Sequence, residues 1–131
     1  MNWKLDNFNN NRTFYTDSNG LEMQKRVLNW RQSYDFLSFE EVSGNYYPIN
    51  SALAIVDEIQ NLQLTVLNDR AQGGSSLKPG RIELMQNRRL LKDDGRGVDE
   101  ALNETGPYGG LHISARYRVM LTERGKQQIS Q

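Results

Sequence analysis

Apolar and polar residues alternate most clearly near the end of the chain. In LHISARYRVML, Leu111, Ile113, Ala115, Tyr117, Val119 and Leu121 alternate with His112, Ser114, Arg116, Arg118 and Met120. Strict period two over this length predicts a strand with one buried face. LQLTVL predicts a second strand, with Leu62, Leu64 and Val66 on one side, and the short apolar run ALAIV, Ala52 to Val56, predicts a buried third. Burying one large apolar side chain contributes roughly 1.5–3 kcal/mol, so exposing Leu111, Ile113, Tyr117, Val119 and Leu121 together would cost about 7–15 kcal/mol. That rivals the whole stability of a typical domain, about 5–15 kcal/mol. The last strand therefore requires a layer packed on it, supplied either by this chain or by neighbouring sequence.

Turn chemistry separates these runs. Asp17-Ser18-Asn19-Gly20 lies between TFYT and LEM and reads as a hairpin turn. Ser43-Gly44-Asn45, Gly73-Gly74, Pro79-Gly80, Asp94-Gly95 and Gly106-Pro107 mark further turns. Short strands at such spacing suggest an all-β, antiparallel sandwich. LEMQKRVLNW and RIELMQNRRLL are rich in helix formers, and periodicity leaves both open between helix and strand. The stretch NFNNNR reads as a polar arm or loop, which divides the chain into an arm over 1–12 and one β-sandwich domain over 13–131.

At 131 residues the chain can bury a substantial core. Sixteen basic and sixteen acidic residues cancel, so nothing favours nucleic acid or an anionic membrane as a partner. No apolar run approaches the ~20 residues of a membrane-spanning helix. The opening MNWKLD is not a signal peptide, leaving a cytosolic protein or a piece of something longer as the expectations. There is no cysteine, which excludes disulfides and thiolate metal sites.

Candidate chemistry is sparse. DRAQGGSS, Asp69 to Ser76, has the glycines of a phosphate cradle but not its Lys-Ser/Thr closure. His112 is the only histidine and falls on the outward face of its strand, so no zinc set forms. DDGRGVDE lacks the ligand spacing of a calcium loop. Glu40-Glu41 and Asp93-Asp94 are sequence neighbours that point to opposite faces when extended, and make no catalytic pair alone. Ser75 and Ser76 lack a local base and a nucleophile elbow. The expected catalytic and metal residues are therefore none. Arg88-Arg89, with Lys92, Asp93, Asp94 and Arg96, is the densest charge cluster. It reads either as a solvated, self-paired edge or as planar donors offered to a polar ligand such as a sugar. Asn11-Arg12-Thr13 and Asn103-Glu104-Thr105 are sequons, making Asn11 and Asn103 glycosylation candidates.

FYTDSNGLEM, SGNYYPIN, LQLTVLNDRAQGGSSL and IELMQNRRLLKDDGRGV occur in this order. Together they resemble the C-terminal β region of lysosomal-type α-mannosidases, glycoside hydrolase family 38, over roughly residues 13 to 102. The resemblance implies part of that family's large C-terminal sandwich, of galactose mutarotase-like supersandwich type. It makes LEMQKRVLNW and IELMQNRRL strands, and DRAQGGSS a tight glycine turn after LQLTVL. It further implies a parent enzyme that cleaves terminal α-linked mannose of N-glycans with retention, in the lysosome or secretory pathway. The parent's zinc and both catalytic carboxylates are implied for another domain, so this chain alone is expected to be inactive and to need no cofactor. Its implied partners are the catalytic domain, the rest of the C-terminal β region, and mannose-containing glycans reached through Arg88 or Arg89. The alternative is a free-standing carbohydrate-binding module, with Arg88, Arg89, Tyr46, Tyr47 and Trp30 as a sugar platform. A structural interaction domain that self-associates through an apolar face is a third reading.

Overall fold

In the computed structural model, which describes residues 1–37, 40–97 and 99–124, two antiparallel sheets face each other across a hydrophobic core. The strands are β1 (Asn2–Lys4), β2 (Thr13–Ser18), β3 (Glu22–Val27), β4 (Tyr47–Ile49), β5 (Ala52–Asp57), β6 (Leu62–Asn68), β7 (Gln72–Ser75), β8 (Arg81–Met85) and β9 (Tyr117–Glu123). A 3₁₀ turn at Ser43–Asn45 precedes β4. One sheet has the order β1-β8-β7-β4, the other β3-β2-β5-β6-β9. The expected all-β antiparallel sandwich is the fold observed.

Period two explains the core. Leu53 and Ile55 of β5 and Leu64 and Val66 of β6 are registered as Leu53↔Val66 and Ile55↔Leu64. Phe14 of β2 joins them, and Ile49, Ile82 and Leu84 close the core from the four-stranded sheet. Asn19 and Gly20 both have positive φ, and the Leu21 N–H donates to Ser18 O at 3.0 Å. This is the primed turn that suits the twist of the β2–β3 hairpin. LEMQKRVLNW forms β3 over Glu22–Val27, whereas RIELMQNRRLL is strand only over Arg81–Met85.

Three expectations are corrected. Residues 1–12 are not a free arm: Asn2–Lys4 pairs with β8, Phe8 enters the core, and Asn10 is buried. The Asn10 amide donates to Thr13 O and Ser76 Oγ and accepts from the Gly80 N–H. Gly73-Gly74 is not a turn either, because both residues lie inside β7. A Cβ on Gly74 would stand 2.1 Å from Ile49 Cδ1 and 2.8 Å from Leu84 Cδ2, so close packing is what requires glycine there. Finally, the strand expected from Leu111 begins only at Tyr117. Its partner β6 ends at Asn68, which pairs with Tyr117, so the preceding residues have no ladder to join. They are held instead by side chains: Asp69 accepts the Arg116 N–H at 2.9 Å and Arg70 donates to Ser114 O at 2.6 Å. Leu111 is exposed, and so are Val119 and Leu121. Residues 38–39, Val98 and residues 125–131 of the expected 13–131 domain lie outside the described residues.

Candidate functional site

Pairing of β4, β7 and β8 sets Pro48, Gly73 and Met85 in one row. The row before it, Tyr47, Gly74 and Leu84, faces the core, so Pro48, Gly73 and Met85 face outward. Gly73 has no side chain to raise the floor, and Tyr46 Cδ1 stands 3.6 Å from where its Cβ would be. The result is an open groove of about 650 Å³, bordered by Tyr46, Tyr47, Arg70, Met85 and Arg88.

The aromatic border is fixed by its charged neighbours. The Tyr46 hydroxyl donates to Glu83 Oε2 at 3.3 Å. Burial, followed by the Glu83 charge and that hydrogen bond, raises the Tyr46 pKa above the ordinary phenol value. Tyr47 stacks edge to face on Phe14 and lies under the guanidinium groups of Arg26, 4.4 Å away, and Arg31, 5.0 Å away. Burial also raises the Tyr47 pKa and outweighs the opposing pull of these two arginines. Both phenols are neutral donors at neutral pH.

The candidate arginines part company. Arg88 borders the groove. Arg89 turns to Asn103, donating from Nε to Oδ1 at 2.6 Å. Trp30 is not in the groove; it lies in a separate depression with Arg31 that shares Tyr47 with the groove. The five-residue sugar platform is therefore not assembled in one place. Asn11 is exposed in the turn before β2, with the Thr13 hydroxyl donating to its carbonyl at 3.2 Å. Asn103 is exposed as well, and its bond to Arg89 uses Oδ1, leaving Nδ2 free.

Zinc does not fit the described residues. No group of three or more His, Cys, Asp and Glu comes together among them, and His112 is exposed. No step proposed for this chain passes through a metal.

Two buried carboxylates that sequence reasoning missed hold the framework. Asp17 Oδ1 accepts the N–H groups of Asn50, Ser51 and Ala52 at 2.9, 2.9 and 3.0 Å. Its Oδ2 accepts the Gly20 N–H at 2.8 Å and the Ser51 hydroxyl at 3.0 Å. Burial works against its charge, but the donors from Ala52, Ser51 and Gly20 win and hold its pKa below the usual carboxylate value. Asp57 accepts from the Asn9, Ile59 and Gln60 N–H groups and the Gln60 amide. The N–H groups of Asn9 and Gln60 lead in lowering its pKa. The signal available was an aspartate at each strand end beside a turn, in TDSNG and VDEIQN.

Comparison with known proteins agrees with this architecture. Residues 6–96 match the family model described as "Glycosyl hydrolases family 38 C-terminal domain". The chain is 53% identical to the lysosomal alpha-mannosidase of Bos taurus over 111 residues, which is 85% of this chain and 11% of the bovine protein. It is 47% identical to an alpha-mannosidase of Arabidopsis thaliana over 119 residues, 88% of this chain and 12% of the plant protein. Against the lysosomal alpha-mannosidase of Dictyostelium discoideum it is 47% identical over 94 residues, 72% of this chain and 9% of that protein. The chain thus spans about a tenth of the length of these relatives, and with most of its residues matched it belongs to the family 38 glycosyl hydrolase C-terminal domains.

Proposed function

We propose that the chain is a non-catalytic C-terminal β piece of a zinc-dependent, retaining α-mannosidase that removes terminal α-linked mannose from N-glycans. It buttresses the catalytic domain and lends Arg88 to substrate. The parent works in the lysosome or secretory pathway, where Asn11 and Asn103 are glycan acceptors. The observation that carries this reading is the 53% identity over 111 residues to a lysosomal alpha-mannosidase, alongside the C-terminal domain match over residues 6–96. Arg88 is preferred to Arg89 because it borders the open groove, whereas Arg89 is engaged with Asn103.

The test is Arg88→Ala and Arg89→Ala in the complete polypeptide, assayed on an α-mannoside. A charged hydrogen bond is worth about 1.5–3 kcal/mol, so Arg88→Ala should lower kcat/KM by at least about tenfold, and Arg89→Ala by much less. Equal, small effects would remove Arg88 from the substrate path.

A second reading is favoured by the groove itself, which brings Tyr46, Tyr47 and Arg88 together. As a free-standing carbohydrate-binding module, the isolated chain would show saturable chemical-shift changes at those residues with millimolar mannose. A flat titration rejects it.

A further inference from the structure

The two sheets are unequal: four strands cover five. The shortfall lies over β9. Val119 is registered with Val66 and Leu121 with Leu64, and residues paired across neighbouring strands share a face. Val66 and Leu64 are core residues, 1% and 3% exposed, yet Val119 and Leu121 on the same inner face are 45% and 53% exposed. The opposing sheet stops at β1, whose Trp3 meets Tyr117, the first residue of β9, edge to face at 5.5 Å. Nothing described lies beyond it: β1 pairs with β8 alone and β9 with β6 alone among the described residues.

The β1 edge is ready to pair. The Leu5 N–H donates to Gly80 O, and Leu84 and Met1 exchange both their bonds. Antiparallel alternation therefore turns the amides of Asn2 and Lys4 toward the free edge. A strand added there would lie over Val119 and Leu121, completing five strands against five.

We infer that the occupant is a β-segment from elsewhere in the same family 38 polypeptide, pairing with the free edge of β1 and setting apolar side chains on Val119 and Leu121. This rests on the proposal that the chain is part of a longer enzyme, and names where and how the rest attaches. The relatives carry about nine-tenths of their length outside the matched segment, so the polypeptide has chain to supply it. A single added strand also explains why the apolar alternation continues through Val119 and Leu121 although this chain leaves them uncovered.

The absence of cysteine makes the test direct. Leu121→Cys and, as control, Ile59→Cys, at a position 91% exposed, are labelled with a maleimide in the isolated chain and in the complete polypeptide encoded by its gene. Labelling is read on the modified peptide by mass spectrometry, alongside hydrogen exchange of the Asn2 and Lys4 amides. In the isolated chain both cysteines should label at similar rates. In the complete polypeptide Leu121→Cys and the two amides should slow by at least about tenfold, with Ile59→Cys unchanged. Equal labelling of Leu121→Cys in both contexts overturns the inference, and so does protection of Leu121→Cys while the amides stay fast. Protection in the isolated chain that is lost on dilution assigns the face to a second copy, also overturning it. A reading frame that codes for nothing beyond these residues does the same. Hydrolysis of an α-mannoside is assayed on the same samples: activity with an unprotected Leu121→Cys sinks only this attachment, while protection without activity sinks only the mannosidase reading.

Discussion

Gly74 lies directly beneath Ile49, so close that a methyl group on the glycine would stand 2.1 Å from Ile49 Cδ1. Its neighbour Gly73 faces outward, where an added methyl would make ordinary contacts at 3.6 Å with Tyr46 and 3.8 Å with Met85. Neither glycine has a positive φ. Adjacent residues of one type thus serve different ends, one packing the sheets together and the other opening the groove. Overpacking a core costs typically 1–3 kcal/mol, so Gly74→Ala should destabilise the chain by about 1–3 kcal/mol in urea unfolding. Gly73→Ala should be neutral or stabilising by up to about 1 kcal/mol, since it only restricts the unfolded chain. Equal losses from both would mean that the two faces of β7 do not alternate between core and groove.

Asp17 fastens the β2–β3 turn to the start of β5 through five accepted hydrogen bonds. Asp17→Ala should cost about 2–4 kcal/mol, because it strands buried backbone donors as well as removing their partner. Chemical denaturation measures this. A loss below about 0.5 kcal/mol, the range of an ordinary surface change, would contradict the role.

The pH dependence follows from the same groups. Asp17 and Asp57 both have folded pKa values below the ordinary carboxylate value of 3.8. A depressed folded pKa contributes stability that is complete above the unfolded value and is lost as pH falls through the folded one. The melting temperature should therefore be little affected by these two groups from neutral pH to about 4, then drop steeply below it. In Asp17→Asn the acid-side slope should be shallower, because one titrating group is gone. An unchanged slope would exclude Asp17 from the acid transition.

Secretion tests the sequons. Expressed behind a secretory leader, the chain should gain glycan at Asn11 and Asn103, seen as a mass decrease on enzymatic deglycosylation. At Asn103 the Arg89 bond occupies only Oδ1, so Arg89→Ala should leave occupancy there intact. Sites left empty in fully secreted protein would contradict the assignment.

Much of this fold is legible in period two. ALAIV and LQLTVL became β5 and β6 because their inward residues, Leu53, Ile55, Leu64 and Val66, pack on one another. TDSNG became the hairpin because Asn19 and Gly20 supply the two positive φ values. The failures share a cause: the deciding partner lies far along the chain. β1 is three residues whose pairing is with residues 81–83, invisible to a local pattern. Gly73-Gly74 looks like a turn until Ile49 and Leu84 are seen to need the space. The period through Leu111 and Ile113 did not become strand because β6 ends at Asn68. At the site, Arg88 and Arg89 are equal in sequence, and what distinguishes them is tertiary: Arg88 borders the groove while Arg89 engages Asn103.

The most direct measurement is hydrolysis of an activated α-mannoside by the purified 131-residue chain, with and without added zinc. A β piece that depends on another domain for its chemistry should give no turnover above buffer, while a complete family 38 enzyme in the same assay cleaves the substrate. Saturable cleavage that tracks this chain through purification would place a working active site within it and contradict its role as a non-catalytic piece.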